Sequence, residues 1–361
     1  MNADQTSGKP DMNALLAVIR ELVGEVHPHW KNLHFLPDTL LERELGLDSM
    51  ARVELHGRLE QSLQITLPDN AAVRAATAND LMQAILHPTG SDTTGDIPAG
   101  DASELLMGEF GTPGDTTSGT QRTLTEWLFA MYAWPVFVVL GLVAWVLVVL
   151  TPTEGGRRKV AHWCSRLLFW LTFTSLKVQG HEHLDMKDPQ IIVANHASYL
   201  DGIIVTAALD VPIHFIVKGE LARNTPIRIL LQRFGVEFVD RFNARKGTSD
   251  VGRIATKARN GQSIVFFPEG TFTTFDGLQP FRMGAFVTAV RAGIPVVPVA
   301  IKGARALVRG SEWFPRRGRL QVTILPPIQP TGDGWQVALN LRDAARRELA
   351  PFTGEPNLVE D

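Results

Sequence analysis

Apolar positions along this chain change their period three times, and each change marks a different kind of structure. Up to about residue 88 they recur at helical spacing. Leu15, Leu16, Ile19, Leu22 and Val23 form one stripe, Met50, Val53, Leu55 and Leu59 a second, and Leu81 to Leu86 a third. A turn rich in Pro and His (His27, Pro28, His29) follows the first stripe. Residues 1–88 are therefore expected to form a small all-α bundle of three or four helices. From Pro88 to Thr120 the chain is rich in Gly, Ser, Thr, Asp and Pro, with one apolar patch at Leu105 to Met107. Residues 89–121 read as a flexible linker, with a root-mean-square span of roughly 30 Å.

The pattern then turns uniformly apolar. Trp127 to Leu150 is 24 residues without a charged side chain, interrupted by Pro135 and Gly141. At 1.5 Å per residue it would extend about 36 Å, more than a hydrocarbon core of about 30 Å. Arg157, Arg158 and Lys159 follow, which puts the downstream end on the cytoplasmic side. A single crossing would put the front of the chain on the opposite side; a second apolar stretch, Leu167 to Leu176, instead allows a hairpin expected to enter one leaflet and return. Residues 122–176 are thus expected to be a membrane-associating two-helix segment. From residue 177 to 350, short β-rich runs (191–194, 214–217, 263–267, 296–301, 319–324) alternate with helical ones (250–259, 284–292), followed by a tail over 351–361. That alternation predicts an α/β domain. The chain is multidomain: an all-α bundle, a membrane-embedded helical hairpin, and an α/β domain with a mixed sheet.

Charge sharpens this division. The formal net charge of -3 conceals 12 acidic and 7 basic side chains in residues 1–88, and 7 acidic against one basic in residues 89–126. The remainder carries 27 basic and 19 acidic, so a front near -11 is joined to a rear near +8. The front could dock on the rear or on another basic partner. Cys164 is the only cysteine, which excludes an intramolecular disulfide. The first ten residues lack the apolar run of a signal peptide.

Candidate chemistry centres on I-I-V-A-N-H-A-S-Y-L-D, Ile191 to Asp201. Here a buried strand feeds a turn bearing Asn195 and His196, and Asp201 is expected in the first turn of the next helix. An aspartate five residues on can return to the imidazole, fix its tautomer and steady the positive charge that develops as it takes a proton. Loops at the carboxyl ends of strands are where open α/β sheets place such groups. His181 and His183 lack a third ligand nearby and read as one face of a strand or turn; no metal site is expected. There is no G-x-S-x-G nucleophile motif.

Two resemblances organise these observations. The run Asp38 to Glu60 with its G-L-D-S-M signature, and Leu63 to Asp69, resemble an acyl carrier protein domain. That resemblance implies 4'-phosphopantetheine on Ser49, with Asp48 beside it and Glu42, Glu44, Glu54 and Glu60 on an acidic face. Arg43, Arg52 and Arg58 give this region more basic residues than the acidic members of that family carry. It also implies a phosphopantetheinyl transferase and an acyl-loading ligase as partners.

The second resemblance covers roughly residues 160–345. The N-H-A-S-Y-L-D block, I-V-K-G-E-L (216–221), G-V-E-F-V-D-R (235–241), F-F-P-E-G-T-F-T (266–273), F-R-M-G-A (281–285) and I-P-V-V-P-V-A-I-K-G (294–303) are similar to the glycerolipid acyltransferase family, which contains lysophosphatidic acid acyltransferases. It implies that His196 is the general base and Asp201 its orienting carboxylate, with Arg241, Lys218, Glu269, Gly270, Thr271 and Arg282 at the acceptor. The arginine common after E-G-T in that family is replaced by Phe272. Arg282, Arg305 or Arg309 would then contact a phosphate, or the acceptor bears another head group.

The implied reaction moves an acyl group from a thioester (acyl-CoA or acyl carrier) to a lysophospholipid hydroxyl, in phospholipid biosynthesis at the cytoplasmic face of a bacterial inner membrane. The alternatives are O- or N-acylation of another amphiphile, and a non-catalytic membrane-tethered carrier. No nucleic-acid partner is expected.

Overall fold

The computed structural model describes residues 11–30, 35–42, 44–67, 71–86, 123–185, 187–219, 225–239, 244–270, 277–308 and 314–356. Its first unit holds helices α1 (Met12–Val26), α2 (Ser49–Leu63), α3 (Ala71–Arg74) and α4 (Ala78–Leu86). Leu15, Ile19 and Leu22 of α1 meet Leu55 and Leu59 of α2 and Leu81 of α4, all fully buried. Each contributes roughly 2 kcal/mol of apolar burial. Asp48 caps α2 by accepting from the Met50 and Ala51 N–H groups. Arg52 is buried, donating to the carbonyls of Ala72 and Ala75, and Arg58 bridges Glu25 and Glu54. These two arginines brace the bundle from within.

Helix α5 (Leu124–Leu150) begins with a capping box made by Thr123 and Glu126 and continues through Pro135. It is the one helix among the described residues long and apolar enough to cross a membrane. Helix α6 (Glu154–Leu171) packs against it as a hairpin, with a first half that is glycine-rich and charged. The second apolar stretch is therefore divided: α6 ends at Leu171, and Leu176 belongs to a strand. The hairpin touches the α/β domain at the start of α5 and at the start of α6. Near the start of α5 Trp127 meets Phe314 edge-on, with ring centroids 5.4 Å apart. Just beyond the end of α5 Arg157 gathers the carbonyls of Thr151, Pro152 and Arg233. Leu128, Met131, Val139, Leu142 and Leu150 stay exposed along its outer side.

The third unit is built on strands β1 (Ser175–Gln179), β2 (Ile191–Ala194), β3 (Ile213–Lys218), β4 (Glu237–Val239), β5 (Ser263–Phe266), β6 (Val296–Lys302) and β7 (Arg319–Ile324). They form a mixed sheet in the order β1-β7-β6-β2-β5-β3-β4, parallel throughout except between β6 and β7. The carboxyl ends of β2 to β6 therefore share one edge. Helix α7 (Asp201–Ala208) and the α5–α6 hairpin cover one face. His162 of α6 donates to the Thr206 carbonyl across that contact, at 3.0 Å. Helices α8 (Thr225–Arg233) and α11 (Ala304–Leu307) are short connections. The other face carries α9 (Ala244–Arg259), α10 (Gly284–Ala292) and α12 (Trp335–Thr353). The N-terminal bundle rests on this second layer, with α2 against α9.

Candidate active site

Strand β2 delivers its four buried residues to the shared edge, and the chain turns there in a way that Asn195 enforces. The Asn195 side chain donates to the Ile301 carbonyl (3.0 Å) and accepts from the Ile301 N–H (2.7 Å), clamping the turn to β6. His196 comes next. Its Nδ1 lies 2.8 Å from Oδ2 of Asp201, the first residue of α7. The same oxygen accepts from the N–H groups of Ala197 (2.7 Å) and Ser198 (2.8 Å). Asp201 is wholly buried, and its Oδ1 has no hydrogen-bond partner among the described residues. A carboxylate held this close to Nδ1 keeps the proton there and leaves Nε2 with its lone pair. The imidazole also stacks on Phe267, with ring centroids 4.6 Å apart.

The loop after β5 supplies a brace. Glu269 is buried; its Oε1 accepts from the His196 N–H (2.6 Å) and its Oε2 from the Gln279 N–H (2.9 Å). Arg346 of α12 holds the far side of that loop through the carbonyls of Leu278 (2.9 Å) and Gln279, its guanidinium 5.3 Å from the Phe281 ring. Both Glu269 oxygens are thus spent on backbone, so this residue positions the histidine turn. Burial raises its carboxyl pKa to about 7, with nearby Asp201 adding to the rise; the two N–H bonds and Arg346 oppose it.

That shift has a consequence for stability. The unfolded chain releases the Glu269 proton near 4.5 and the native state near 7. Stability from this group is complete below about pH 4.5 and is lost as pH rises through 7. The loss is roughly 3 kcal/mol. Denaturant unfolding at pH 5 and pH 8 should show that difference in the native sequence and a much smaller one in Glu269→Gln. Equal differences in the two would contradict the assignment.

A cavity of about 1330 Å³ opens from His196, Phe267 and Gly270 and runs between the sheet edge and the α5–α6 hairpin. Phe137, Leu140 and Trp145 of α5 and Leu168 of α6 are among its walls. Most of its lining is apolar, with Arg158, Lys159, His162 and Asp210 among the polar exceptions, and the imidazole stands at the sheet edge.

Of the other expected site residues, Gly270 lies beside the cavity at a positive φ of 79°, where glycine is favoured. Arg282 is exposed; its N–H donates to the Pro268 carbonyl at 2.9 Å. Arg305 pairs with Glu355 at 2.9 Å. Lys218 closes β3, but its side chain is outside the described residues, as are Arg241, Thr271, Phe272 and Arg309. His181 and His183 form a short 3-10 turn, and no group of three potential metal ligands occurs among the described residues.

In the bundle, Ser49 is the partly exposed first residue of α2. Asp48 already takes the Met50 and Ala51 N–H groups, but the partly exposed Ser49 hydroxyl stands at a helix N-terminus whose dipole favours an anion, so the residues present fit a phosphopantetheine arm. The acidic face is largely consumed inside the bundle. Glu44 accepts from the Leu40 N–H, Glu54 pairs with Arg58, and Glu60 accepts from the Leu67 N–H.

Comparison with known proteins separates the same units. The model of the Acyltransferase family matches residues 175–302, and that of the Phosphopantetheine attachment site matches residues 14–85. The α/β domain thus carries an acyltransferase domain match over residues 175–302. A carrier domain of the phosphopantetheine-binding type precedes it.

Among curated relatives, the chloroplastic 1-acyl-sn-glycerol-3-phosphate acyltransferase BAT2 of Brassica napus is 32% identical over 226 residues, 59% of this chain and 64% of that protein. Human lysophospholipid acyltransferase LPCAT4 is 31% identical, over 50% of this chain and 34% of its own length. The chain thus spans less than two thirds of these relatives. In fold, it is similar to the crystal structure of the 1-acyl-sn-glycerophosphate acyltransferase PlsC from Thermotoga maritima. That likeness has a TM-score of 0.54 at 22% identity and covers 64% of this chain and 97% of that one. The acyltransferase domain therefore holds its histidine–aspartate turn on a known architecture, with the carrier domain in front of it.

Proposed function

We propose that this chain transfers a fatty acyl group from a thioester to the hydroxyl of a lysophospholipid such as 1-acyl-glycerol-3-phosphate, forming a diacyl phospholipid. The observation that carries the reading is the His196–Asp201 pair opening onto the apolar cavity between sheet and hairpin. The cavity would take the acyl chains and leave the reacting oxygen at the histidine.

His196 Nε2 accepts the proton of the acceptor hydroxyl, and Asp201 stabilises the imidazolium that forms. The hydroxyl oxygen bonds to the thioester carbonyl carbon, the carbon–sulfur bond breaks, and the imidazolium returns the proton to the departing thiolate. A thioester is already activated, so no covalent intermediate on a side chain is required. Glu269 and Asn195 hold the backbone from which His196 projects. Arg241, Lys218, Thr271 and Arg282 remain the acceptor-binding residues of this reading.

The carrier domain's group belongs on Ser49, where it supplies a thiol that carries acyl groups as thioesters. A phosphopantetheinyl transferase and an acyl-loading ligase are the partners this requires; soluble acyl-CoA is the other donor. The α5–α6 hairpin would seat the chain in one leaflet at the cytoplasmic face, as in a bacterial inner membrane. The contacts of Trp127 at the start of α5 and of Arg157 in α6 with the α/β domain support a hairpin lying against that domain in one leaflet over a helix projecting through the membrane.

Phe272 favours a second reading of the acceptor, since the family's usual arginine is missing there and Arg305 is paired with Glu355. Purified full-length protein given labelled acyl-CoA and separate lysolipids decides between them. Preferred acylation of lysophosphatidate supports the first reading. Preferred acylation of a lysolipid without a terminal phosphate supports the second, and no product from any acceptor overturns both.

A further inference from the structure

Among the described residues, Asp48 of the carrier domain makes a chemically specific contact with the acyltransferase domain. Oδ1 of Asp48 caps α2, and its Oδ2 accepts the Met283 N–H at 2.7 Å. Met283 is the N-cap residue of α10, a helix with no side-chain cap of its own. One carboxylate therefore serves the N-termini of two helices in two domains, each end favouring negative charge. A second contact meets the first at Met283. Arg342 of α12, only 6% exposed, donates to the Val26 carbonyl at the end of α1, at 3.0 Å. Its remaining partners are the Met283 sulfur and Asp343.

The place of this contact in the sheet matters. Strand β5 is parallel to β2, so the loops after both leave the same edge. The Arg282 N–H returns to the Pro268 carbonyl just past the end of β5, and Glu269, next in sequence, holds His196. Asp48, adjacent to Ser49, thus grips α10 at the edge where His196 stands.

We infer that the N-terminus of α10 together with Arg342 is a docking site for the chain's own carrier domain, bringing Ser49 to the active-site edge of the same chain. The inference rests on the proposed acyl transfer for its purpose but not for its geometry. Docking also occupies Asp48, beside the attachment serine, so an enzyme that modifies or loads Ser49 by reading that turn meets the undocked carrier. Arg342 and Asp48 are positioning residues in this scheme. Residues 87–122 lie between the carrier domain and α5, so the two partners are held in one chain and docking need not be tight.

Amide hydrogen exchange on the full-length protein without donor or acceptor tests this. In the native sequence the Met283 amide should exchange at least tenfold more slowly than an unprotected amide, and tenfold dilution should not change it. Arg342→Ala should speed its exchange at least fivefold while amides of β2 and β5 keep their rates, which shows that the sheet is intact. Arg342→Lys, which retains a donor, should fall between. An unprotected Met283 amide in the native protein overturns the inference without needing any variant. So does protection equal in native and Arg342→Ala chains. Protection that falls on dilution would place a second copy's carrier at the site and overturn docking within the chain. A protein with no transferase activity would remove the proposed function and leave the exchange result standing.

Discussion

Replacing His196 by alanine should lower kcat for acyl transfer by about 10³-fold, within the 10²–10⁴ range that a positioned general base contributes. The side chain is not part of the sheet's packing. It is partly exposed and lies over Phe267, and its backbone N–H, which holds Glu269, survives the substitution. Thermal unfolding should therefore move little, and the loss should fall on kcat with KM nearly unchanged. His196→Gln should be as inactive, because an amide can accept a hydrogen bond but cannot take up a proton at neutral pH. Initial rates with labelled acyl-CoA and lysophosphatidate check this. A His196→Ala chain retaining a tenth or more of native activity would remove the base from the mechanism.

The second large effect is expected at Asp201, and it differs in kind. Oδ2 accepts three N–H groups, two of them from the backbone of the turn, in a fully buried position. In Asp201→Asn the amide oxygen can take over those three bonds. The new NH₂ then occupies the Oδ1 position, where the native chain offers no partner among the described residues. Stranding that donor costs about 1–3 kcal/mol. Loss of the negative charge removes what stabilises the imidazolium, so activity should fall about 10²–10³-fold. Asp201→Ala would leave all three N–H groups unsatisfied and should be harder to fold than either. Urea unfolding and initial rates, measured together, separate the two effects. An Asp201→Asn chain that is destabilised but fully active would make this residue purely structural.

The parts of the structure readable in the sequence are those where burial and period coincide. Ile191 to Ala194 and Val296 to Ile301 are apolar runs because strands in the middle of the sheet are covered on both faces. The reading of Asp201 as the start of a helix that folds back on His196 depends only on spacing within one turn, and the structure places it so. Strand β1, S-L-K-V-Q, was not legible because an edge strand half open to water need carry no apolar run. Strand β4 is three residues long, too short for a period to register.

Arg342 and Arg346 were also invisible. Two arginines four apart on an amphipathic helix look like a solvated face, and only the packing of another chain segment over them makes them buried donors to carbonyls. Glu269 was expected at the acceptor, but its partners lie 73 and 10 residues away in sequence. Nothing in its local sequence separates a ligand from a brace. The same limit applies to Asp48, whose bond to Met283 spans 235 residues.

The measurement closest to the central claim follows one acyl group through the full-length chain. Protein coexpressed with a phosphopantetheinyl transferase would be loaded with a labelled acyl group, mixed with a panel of lysolipids, and followed by intact mass beside its His196→Ala counterpart. The account predicts that the acyl mass leaves Ser49 and appears on a lysolipid in the native chain, and stays on Ser49 in His196→Ala. Loss at equal rates from both chains, or a native chain that loads and never discharges to any lysolipid, would contradict it.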